Sequence, residues 1–424
     1  MERAASRVPP VAVRDVDHLL IGGGLASANC ARWLRESGAE GEILLVGREP
    51  DPPYNRPNCS KGFLRGIEER QEAHFRPGEW WVEQRIELLE RTSVTALDPA
   101  TRTARLSNRE EVRFGSALVA TGANVRRLNA PGAELEGIHY LRTLANSLAI
   151  REEAAQADHV VMIGGSYISS EVAASLTTTG NRCTIVMQEE LTLERSFGPR
   201  AGRFFHDLLA SKGIEIHGRD ELARFEGEGR VARVVTRNGL ELDADLVVIG
   251  AGVLPEVHLA RGAGLELGES GGVRCSAQLE SSAPGVYCAG DMCQYDSPLH
   301  GEAMRIEHWD VAFTQGKTAA LNMLGGRVAH EVVPYFFSVL GDWAELEYVG
   351  PARSWDRELV RGSLEEGSFT IWYLREGRLA GALTVGRPAD LDDARRMLVS
   401  RAQLDDDAQR RLVDPDSDLA AIAS

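Results

Sequence analysis

A strand, a glycine-rich turn and a helix follow one another twice in the chain, and this duplication limits the fold more than any other feature. The first copy spans residues 17–34 (DHLLIGGGLASANCARWL) and the second begins at His159 (HVVMIGGSYISSEVAASLTTTG). In such a unit the glycines allow a tight turn, and the helix N-terminus directs its amides at phosphate groups. Two copies about 140 residues apart are much more specific than one. They predict two dinucleotide sites.

The first copy has most of the expected details. The apolar residues 18–21 suit a buried strand, and Gly22 and Gly24 let the backbone approach a pyrophosphate. Ser27 occupies the position of the third glycine, which slightly loosens the expected contact between helix and strand. A second strand, residues 42–46, ends near Glu49, an acid placed to hold a ribose hydroxyl.

Composition excludes several classes of function. The 424 residues include 47 basic and 63 acidic side chains, and the net charge of −16 argues against a general nucleic-acid or anionic-membrane surface. Six cysteines lack C-x-x-C or zinc spacing, which indicates a reducing compartment and no structural metal. Residues 1–15 resemble a frayed leader without an apolar core, and no apolar stretch is long enough to span a bilayer. We therefore expect a cytoplasmic protein.

The remaining segments predict a mixed architecture. The Trp- and Glu-rich residues 75–93 favour a helix, and short strands follow before Ala120. From Pro334 onward the pattern changes to short alternating strands and a final helix over residues 390–399. The predicted fold class is α/β, with two Rossmann-like dinucleotide-binding domains and a C-terminal α+β domain.

Several motifs occur in a fixed order, and together they resemble the two-dinucleotide-domain, glutathione-reductase-like flavoproteins of the ferredoxin reductase type. That group includes putidaredoxin and rubredoxin reductases and the flavoprotein core of apoptosis-inducing factor. The resemblance covers roughly residues 17–404. The motifs are residues 22–27, Pro53-Tyr54-x-Arg56-Pro57-x-x-Ser60-Lys61, Ala120-Thr121-Gly122, residues 164–171, Gly290-Asp291 and Glu307-His308-Trp309.

The resemblance implies an FAD-binding domain made of residues 16–126 and 251–329, with an NAD(H)-binding domain at 127–250 and the C-terminal domain at 330–424. In such reductases a lysine lies beside the flavin N5 edge, and Lys61 has that place here. A cation there stabilises the negative charge that develops as the ring accepts hydride. The implied FAD contacts are Gly22, Gly24, Leu25, Ala26, Ser27, Glu49, Arg56, Lys61, Ala120, Thr121, Gly122, Arg126, Gly290, Asp291, Glu307, His308, Trp309 and Phe337.

The second copy resembles the family's NAD(P)H site. Tyr167 is implied to cover the flavin face, and Glu171 to contact the nicotinamide amide or pair with Lys61. Serines replace the glycines expected at 166 and 169, which predicts weaker nicotinamide binding or a shifted geometry. Glu189 follows the next strand and no basic cluster does, so NADH is favoured over NADPH. The implied contacts are Gly164, Ser166, Tyr167, Ile168, Glu171, Glu189 and Gly252.

The resemblance predicts an FAD-dependent NADH oxidoreductase that passes electrons to a ferredoxin or rubredoxin, with Lys61 and Glu171 as catalytic residues. Cys59 leaves an alternative open, because related disulfide reductases carry one redox cysteine near the flavin. In that case Cys59 is also catalytic in a disulfide, peroxide or oxygen reductase, and Cys59→Ser would abolish turnover. A second alternative is an NADH-responsive sensor similar to apoptosis-inducing factor. A homodimer is compatible with all three.

Overall fold

The computed structural model describes residues 13–422. The leader predicted at residues 1–15 lies outside this range, except for its last three residues, which begin a strand. Within the range the chain forms two compact units, each built from three stretches. One unit contains the residues up to Tyr54, His74–Ala123 and Pro255–Val332, and the other contains Asn55–Ala73, Asn124–Leu254 and Val333 onward. The three-domain division predicted from the sequence, with the FAD-binding domain in two parts, stays a prediction.

Ten α-helices occur within the described range, and none of them is long and apolar enough to cross a bilayer. A short 3₁₀ helix, Arg56–Ser60, precedes the second of them. The helices are α1 (Leu25–Glu36), α2 (Gly62–Arg65), α3 (Gly78–Glu83), α4 (Leu144–Ala154), α5 (Tyr167–Thr178), α6 (Glu194–Ser211), α7 (His258–Gly262), α8 (Trp309–Met323), α9 (Asp390–Ser400) and α10 (Asp406–Val413).

The same residues contain 25 strands. They are β1 (Val13–Ile21), β2 (Ile43–Val46), β3 (Ile86–Leu89), β4 (Val94–Asp98), β5 (Thr103–Leu106), β6 (Glu111–Val119), β7 (Ala123–Val125), β8 (Ile138–Tyr140), β9 (His159–Ile163), β10 (Arg182–Val186), β11 (Glu215–His217), β12 (Leu222–Glu226), β13 (Arg233–Thr236), β14 (Glu241–Asp243), β15 (Leu246–Ile249), β16 (Val253–Pro255), β17 (Val273–Cys275), β18 (Val286–Cys288), β19 (Cys293–Ser297), β20 (Glu302–Met304), β21 (Tyr335–Leu340), β22 (Ala344–Val349), β23 (Arg357–Ser363), β24 (Ser368–Arg375) and β25 (Arg378–Val385).

The first unit is organised around a seven-stranded sheet. Its order is β3-β2-β1-β6-β5-β4, and β18 pairs with β6 in addition. The pairs β1–β2, β1–β6, β2–β3 and β6–β18 are parallel, and β2 is buried along its whole length, as expected of a central strand covered on both faces. Helices α1 and α8 pack together, and Gly316 allows their close contact, since a Cβ there would lie 2.4 Å from the Ala26 carbonyl oxygen.

The second unit contains a parallel sheet and two antiparallel ones. The parallel sheet has the order β11-β10-β9-β15-β8, and its central strand β9 is fully buried. A three-stranded sheet of β12, β13 and β14 and a five-stranded sheet of order β21-β22-β25-β24-β23 are antiparallel. The mixed sheet of the first unit, in which β5 pairs antiparallel with β4 and β6, and the parallel sheet of the second unit each have a glycine turn after a central strand. With the C-terminal antiparallel sheet and its helices, they confirm the predicted α/β fold class.

Buried charges hold the C-terminal helices on their sheet. Asp390, in the first turn of α9, accepts a hydrogen bond from Thr370 Oγ1 at 2.6 Å and pairs with Arg387 at 3.0 Å. Arg361 is 5% exposed and donates to the carbonyls of Asp414, Pro415 and Ser417. The residues that follow α10 are therefore fastened to β23.

Two sequence expectations about local structure are wrong. Residues 75–93 were expected to be helical, but only α3 forms there, and β3 follows it because Ile86–Leu89 pairs with β2 in the buried sheet. Helix α9 is not the final helix. Asp405 caps α10 by accepting from the Ala408 amide at 2.8 Å, and Leu412 is fully buried. At β3 and at α10, burial against the rest of the fold determines the secondary structure, which the local sequence pattern does not.

The stability of the first unit is expected to fall in mild acid because of His330. This side chain is 2% exposed and hydrogen-bonds Thr318 Oγ1 at 3.1 Å. Burial lowers the pKa of His330 from 6.5 to about 4. Between these values the unfolded chain binds a proton that the folded chain does not, so stability is full above pH 6.5 and decreases by about 3 kcal/mol as the pH falls to 4.

Urea unfolding at a series of pH values measures this dependence. His330→Gln should flatten the decrease between pH 6.5 and 4, while the matched change at His258, whose side chain is 84% exposed, should leave it as in the parent protein. An identical slope in the His330 variant and the parent would contradict the assignment.

Candidate active site

The first glycine turn leaves room for a phosphate at the start of α1. Gly22 has φ +117°, and a Cβ there would lie 2.2 Å from the Ala120 carbonyl oxygen. A Cβ at Gly23 would lie 3.2 Å from the Cα of Gly47, so the turns after β1 and β2 are adjacent. At Gly24, the N-cap of α1, nothing among the described residues except its chain neighbours lies within 4 Å of a Cβ, and none of their side chains caps the helix. The first amides of α1 therefore have no side-chain cap and suit an anionic group.

A second glycine motif lies beside this turn. A Cβ on Gly290 would lie 3.7 Å from the Ala26 Cβ and 3.8 Å from the Ala312 Cβ, so the Gly290-Asp291 turn is next to the starts of α1 and α8. The Gly290 amide donates to Gln315 Oε1 at 2.8 Å. The structure thus brings together motifs that are more than 260 residues apart in sequence.

Buried polar atoms near α1 fit a dinucleotide ligand. Ser27 Oγ and Asn29 Oδ1 are inaccessible to solvent and have no hydrogen-bond partner among the described residues. Burying a polar atom without a partner is unfavourable, so such atoms indicate a missing group. With the uncapped helix N-terminus, they agree with a resident FAD.

The other predicted FAD contacts of the first unit lie at strand or helix ends. Glu49 follows β2 and accepts from the Tyr54 hydroxyl at 2.5 Å. Thr121 follows β6 and donates to the Glu256 carbonyl at 2.5 Å. Arg305 donates to the Asp291 carbonyl at 3.0 Å and pairs with Glu307 at 2.5 Å, which connects two of the motifs.

Helix α8 begins where the sequence motif Glu307-His308-Trp309 predicts a helix start. His308 is its N-cap, and Trp309, its first residue, stacks on Phe313 with ring centroids 5.2 Å apart and an interplanar angle of 9°. Phe313 also accepts a hydrogen bond from Asn29 of α1 through its carbonyl. The aromatic pair is therefore part of the packing between α1 and α8.

The second glycine turn has a similar shape with one difference. Gly164 has φ +110°, and a Cβ there would lie 2.5 Å from the Gly250 carbonyl oxygen. Ser166, which replaces a glycine, is the N-cap of α5, but its hydroxyl donates to that same Gly250 carbonyl at 3.0 Å and does not cap the helix. Ser169 Oγ is buried without a partner among the described residues. The α5 amides remain open to an anionic ligand.

Glu189 lies at this turn. A Cβ on Gly165 would lie 3.3 Å from Glu189 Oε2 and 2.7 Å from Met187 Sδ. Arg195, 87% exposed, approaches the carboxylate at 4.0 Å. An acid beside the glycine turn at the end of β10 has the position expected for a residue that binds a ribose diol.

A buried ion pair joins the proline-rich loop to α5. Lys61 Nζ lies 2.7 Å from Glu171 Oε2, with side-chain exposures of 18% and 4%. Ser60 Oγ donates to the same carboxylate oxygen at 2.5 Å, and Ser338 Oγ donates to Oε1 at 2.6 Å. The carboxylate thus has a charged partner and two hydroxyl donors. Sequence reasoning had no signal for the two serine contacts, which join residues 111 and 167 positions apart.

The proline-rich loop is held by hydrogen bonds to its main chain. Ser147 of α4 donates to the Cys59 carbonyl at 2.7 Å, and Ser175 of α5 donates to the Ser60 carbonyl at 2.6 Å. Arg56 donates to the Arg142 carbonyl at 2.6 Å. Because the backbone immediately before it is fixed, Lys61 has a defined position. Cys59 is 3% exposed, and its proposed redox role stays a prediction.

An aromatic ring lies beside the Lys61 ammonium, and others pack around Tyr167, one turn before Glu171 on α5. The Tyr167 ring lies 4.4 Å from that of Phe336 and 5.8 Å from that of Phe197. Burial raises the pKa of the Tyr167 phenol to about 12, so the phenol stays neutral. Lys61 Nζ is 5.8 Å from the centroid of Phe337. Neutral and apolar walls of this kind strengthen a charge interaction by excluding water.

The remaining predicted residues occupy the expected loops and helix starts. Arg126 follows β7, and its amide donates to the Gly252 carbonyl at 2.9 Å. Ile168 lies in the first turn of α5, and Leu25 in that of α1. Gly122 has φ +71°. Across residues 13–422 no cluster of histidine, cysteine or acidic side chains could hold a metal ion.

The family model of the pyridine nucleotide-disulphide oxidoreductases matches residues 16–316, which is well over half of the chain. The chain belongs to this family. A reductase C-terminal model matches residues 338–423 of this pyridine nucleotide-disulphide oxidoreductase, the part that contains β22 to β25, α9 and α10.

Relatives of this oxidoreductase confirm the resemblance to the ferredoxin reductase type. The ferredoxin reductase subunit of a 5,5'-dehydrodivanillate O-demethylase from Sphingobium sp. is 32% identical over 96% of this chain and 98% of its own. Putidaredoxin reductase of Pseudomonas putida is 32% identical over 90% of this chain and 92% of its own. The crystal structure of the ferredoxin reductase for the CYP199A2 system of Rhodopseudomonas palustris has a TM-score of 0.91, with 32% identity over 96% of this chain and 100% of that one.

Proposed function

We propose that this protein is an FAD-dependent NADH oxidoreductase that supplies electrons to a small carrier protein of the ferredoxin or rubredoxin kind. The observation that carries the proposal is the Lys61–Glu171 pair, 2.7 Å apart, which joins the proline-rich loop to the helix of the second dinucleotide motif. An ion pair is costly to bury, so its retention suggests a role in chemistry.

Resident FAD would be held by the turn at Gly22 and Gly24, the amides of α1 and the Gly290-Asp291 turn. When bound, FAD supplies the chemistry that converts a two-electron hydride donor into single-electron steps. The Lys61 ammonium is available to stabilise negative charge on the acceptor ring, and Glu171 orients that ammonium.

Preference for NADH over NADPH is supported by the second turn. The Glu189 carboxylate, beside Gly165, suits a ribose diol and repels a 2′-phosphate. Arg195 is the basic side chain paired with it, but at 87% exposure and 4.0 Å it forms a weak surface pair. The six cysteines are free thiols, which agrees with a cytoplasmic location.

The carrier class is proposed from relatives that act on such proteins. Names among them include putidaredoxin reductase and rubredoxin-NAD(+) reductase, and one similar solved structure, 29% identical with a TM-score of 0.89, is a covalent putidaredoxin reductase–putidaredoxin complex. The net charge of −16 gives no general attraction for an acidic carrier. Recognition would therefore depend on a local surface.

Anaerobic rapid mixing of the purified protein with NADH or NADPH tests the proposal. We expect NADH to bleach the oxidised-flavin absorption at least about tenfold more efficiently than NADPH, since the Glu189 carboxylate repels the extra phosphate. Reduced protein should then transfer electrons to a purified ferredoxin or rubredoxin in a second mix. Retention of the oxidised spectrum with both nucleotides would overturn the proposal and favour a sensor role.

A further inference from the structure

Ser338 occupies a place that packing alone does not explain. It lies in the middle of β21, opposite Leu346 of β22, and is fully buried. Buried strand positions usually hold β-branched or aromatic residues. Its hydroxyl donates to Glu171 Oε1 at 2.6 Å, across 167 residues of sequence. The hydroxyl therefore has a specific polar function.

The two oxygens of Glu171 have different partners. Oε2 faces Lys61 Nζ at 2.7 Å and Ser60 Oγ at 2.5 Å, and Oε1 faces Ser338 Oγ. A glutamate carboxylate that accepts hydrogen bonds at only one oxygen can still rotate about its Cγ–Cδ bond. Hydrogen-bond donors to both oxygens fix the plane of the carboxylate. Because Glu171 is only 3% exposed, water would not readily replace a lost donor.

We propose that Ser338 is a positioning residue, whose hydroxyl fixes the Glu171 carboxylate and thereby holds the Lys61 ammonium in place for hydride transfer. The proposal rests on the function proposed above. It gives the C-terminal sheet a part in the chemistry, because the β21–β22 pairing determines where this hydroxyl lies. Ser338 itself touches neither cofactor nor substrate in this role.

The test compares four variants with the parent protein. They are Ser338→Ala, Ser338→Thr, Glu171→Gln and the double variant that combines Ser338→Ala with Glu171→Gln. The first measurement is the rate of flavin reduction by saturating NADH in the holoprotein. Loss of the hydrogen bond that fixes the carboxylate should slow reduction in Ser338→Ala by about fivefold. Threonine should restore the parental rate. In the Glu171→Gln background Ser338→Ala should cause no further slowing.

The second measurement needs no turnover. The chain has three lysines, Lys61, Lys212 and Lys317, so labelling by an amine-reactive reagent can be followed at each by mass spectrometry. Ser338→Ala should label Lys61 about fivefold faster, in line with the loss of one hydrogen bond in the network. Lys212 Nζ lies 5.8 Å from the ring centroid of Trp343, a residue just beyond β21. The labelling rate of Lys212 therefore reports any general loosening of this region.

Three outcomes would overturn the proposal: unchanged labelling of Lys61, an equal rise at Lys212, or a slowing by Ser338→Ala that persists in the Glu171→Gln background. If NADH does not reduce the parent protein, the proposed function fails. The labelling pattern still decides whether Ser338 positions the ion pair.

Discussion

Replacement of Lys61 by methionine is expected to slow flavin reduction by NADH by about 10²- to 10³-fold, a loss typical of removing one preorganised group that stabilises developing charge. Methionine matches the unbranched stem of lysine but ends one atom earlier and lacks the ammonium. The Ser60 and Ser338 hydroxyls still donate to Glu171, so the carboxylate keeps two of its partners. FAD content should remain as in the parent protein. Stopped-flow absorbance under anaerobic conditions measures the rate.

Lys212→Met is the matched control for this variant. Lys212 and Lys61 each lie 5.8 Å from an aromatic centroid, Trp343 and Phe337 respectively, but no carboxylate partner of Lys212 is found among the described ion pairs. The control should reduce at the parental rate. A Lys61 variant that reduces within threefold of the parent would show that the ammonium has no part in hydride transfer.

The second large effect is expected from Gly164→Ala. The new Cβ would lie 2.5 Å from the Gly250 carbonyl oxygen at a residue with φ +110°, so the turn after β9 must move. Displacing the α5 amides from the pyrophosphate should raise the Kd of NADH by about 10- to 100-fold, which corresponds to about 1.4–3 kcal/mol of strain and lost contact. Titration of nucleotide binding measures the change, and FAD content should stay unchanged.

Gly180→Ala separates strain from steric conflict. Gly180 also has a positive φ, +105°, and lies in the same unit, but within residues 13–422 only its own chain neighbours come within 4 Å of its Cβ position. Both variants carry the backbone cost of a side chain at positive φ, and only Gly164→Ala adds the clash. Dithionite should reduce the flavin in both. Equal NADH affinities in the two variants would mean that the second turn does not bind the nucleotide.

Local patterns were enough to predict the two nucleotide folds, because strand, turn and helix are adjacent in sequence and their glycines have a steric purpose. The composition also indicates a special role for Lys61. It is one of three lysines, whereas the other basic residues are arginines. An ammonium is a compact charge that an arginine does not replace at a restricted site.

Contacts between distant segments could not be predicted in this way. Ser338 stands in the motif Phe336-Phe337-Ser338, yet its bond to Glu171 depends on how the C-terminal sheet meets α5. The same applies to β3, whose residues IELL become a strand because β2 offers an unpaired edge. Helix α10 depends on a cap at Asp405 and the burial of Leu412. Hydrogen bonds from side-chain hydroxyls, strand pairing at a sheet edge and helix caps all depend on single residues. They therefore leave little periodic pattern of apolar and polar residues in a sequence.

The pairing of β6 with β18 has a consequence for biosynthesis. Leu118, in the buried carboxyl-terminal half of β6, finds its neighbour Tyr287 only about 170 residues later in the chain. A ribosome adding 5–20 residues per second needs roughly 10–30 s to reach that point. During this interval the apolar edge of β6 at residues 117–119 has no partner strand. We expect nascent chains stopped before Val286 to expose this edge and to depend on chaperones.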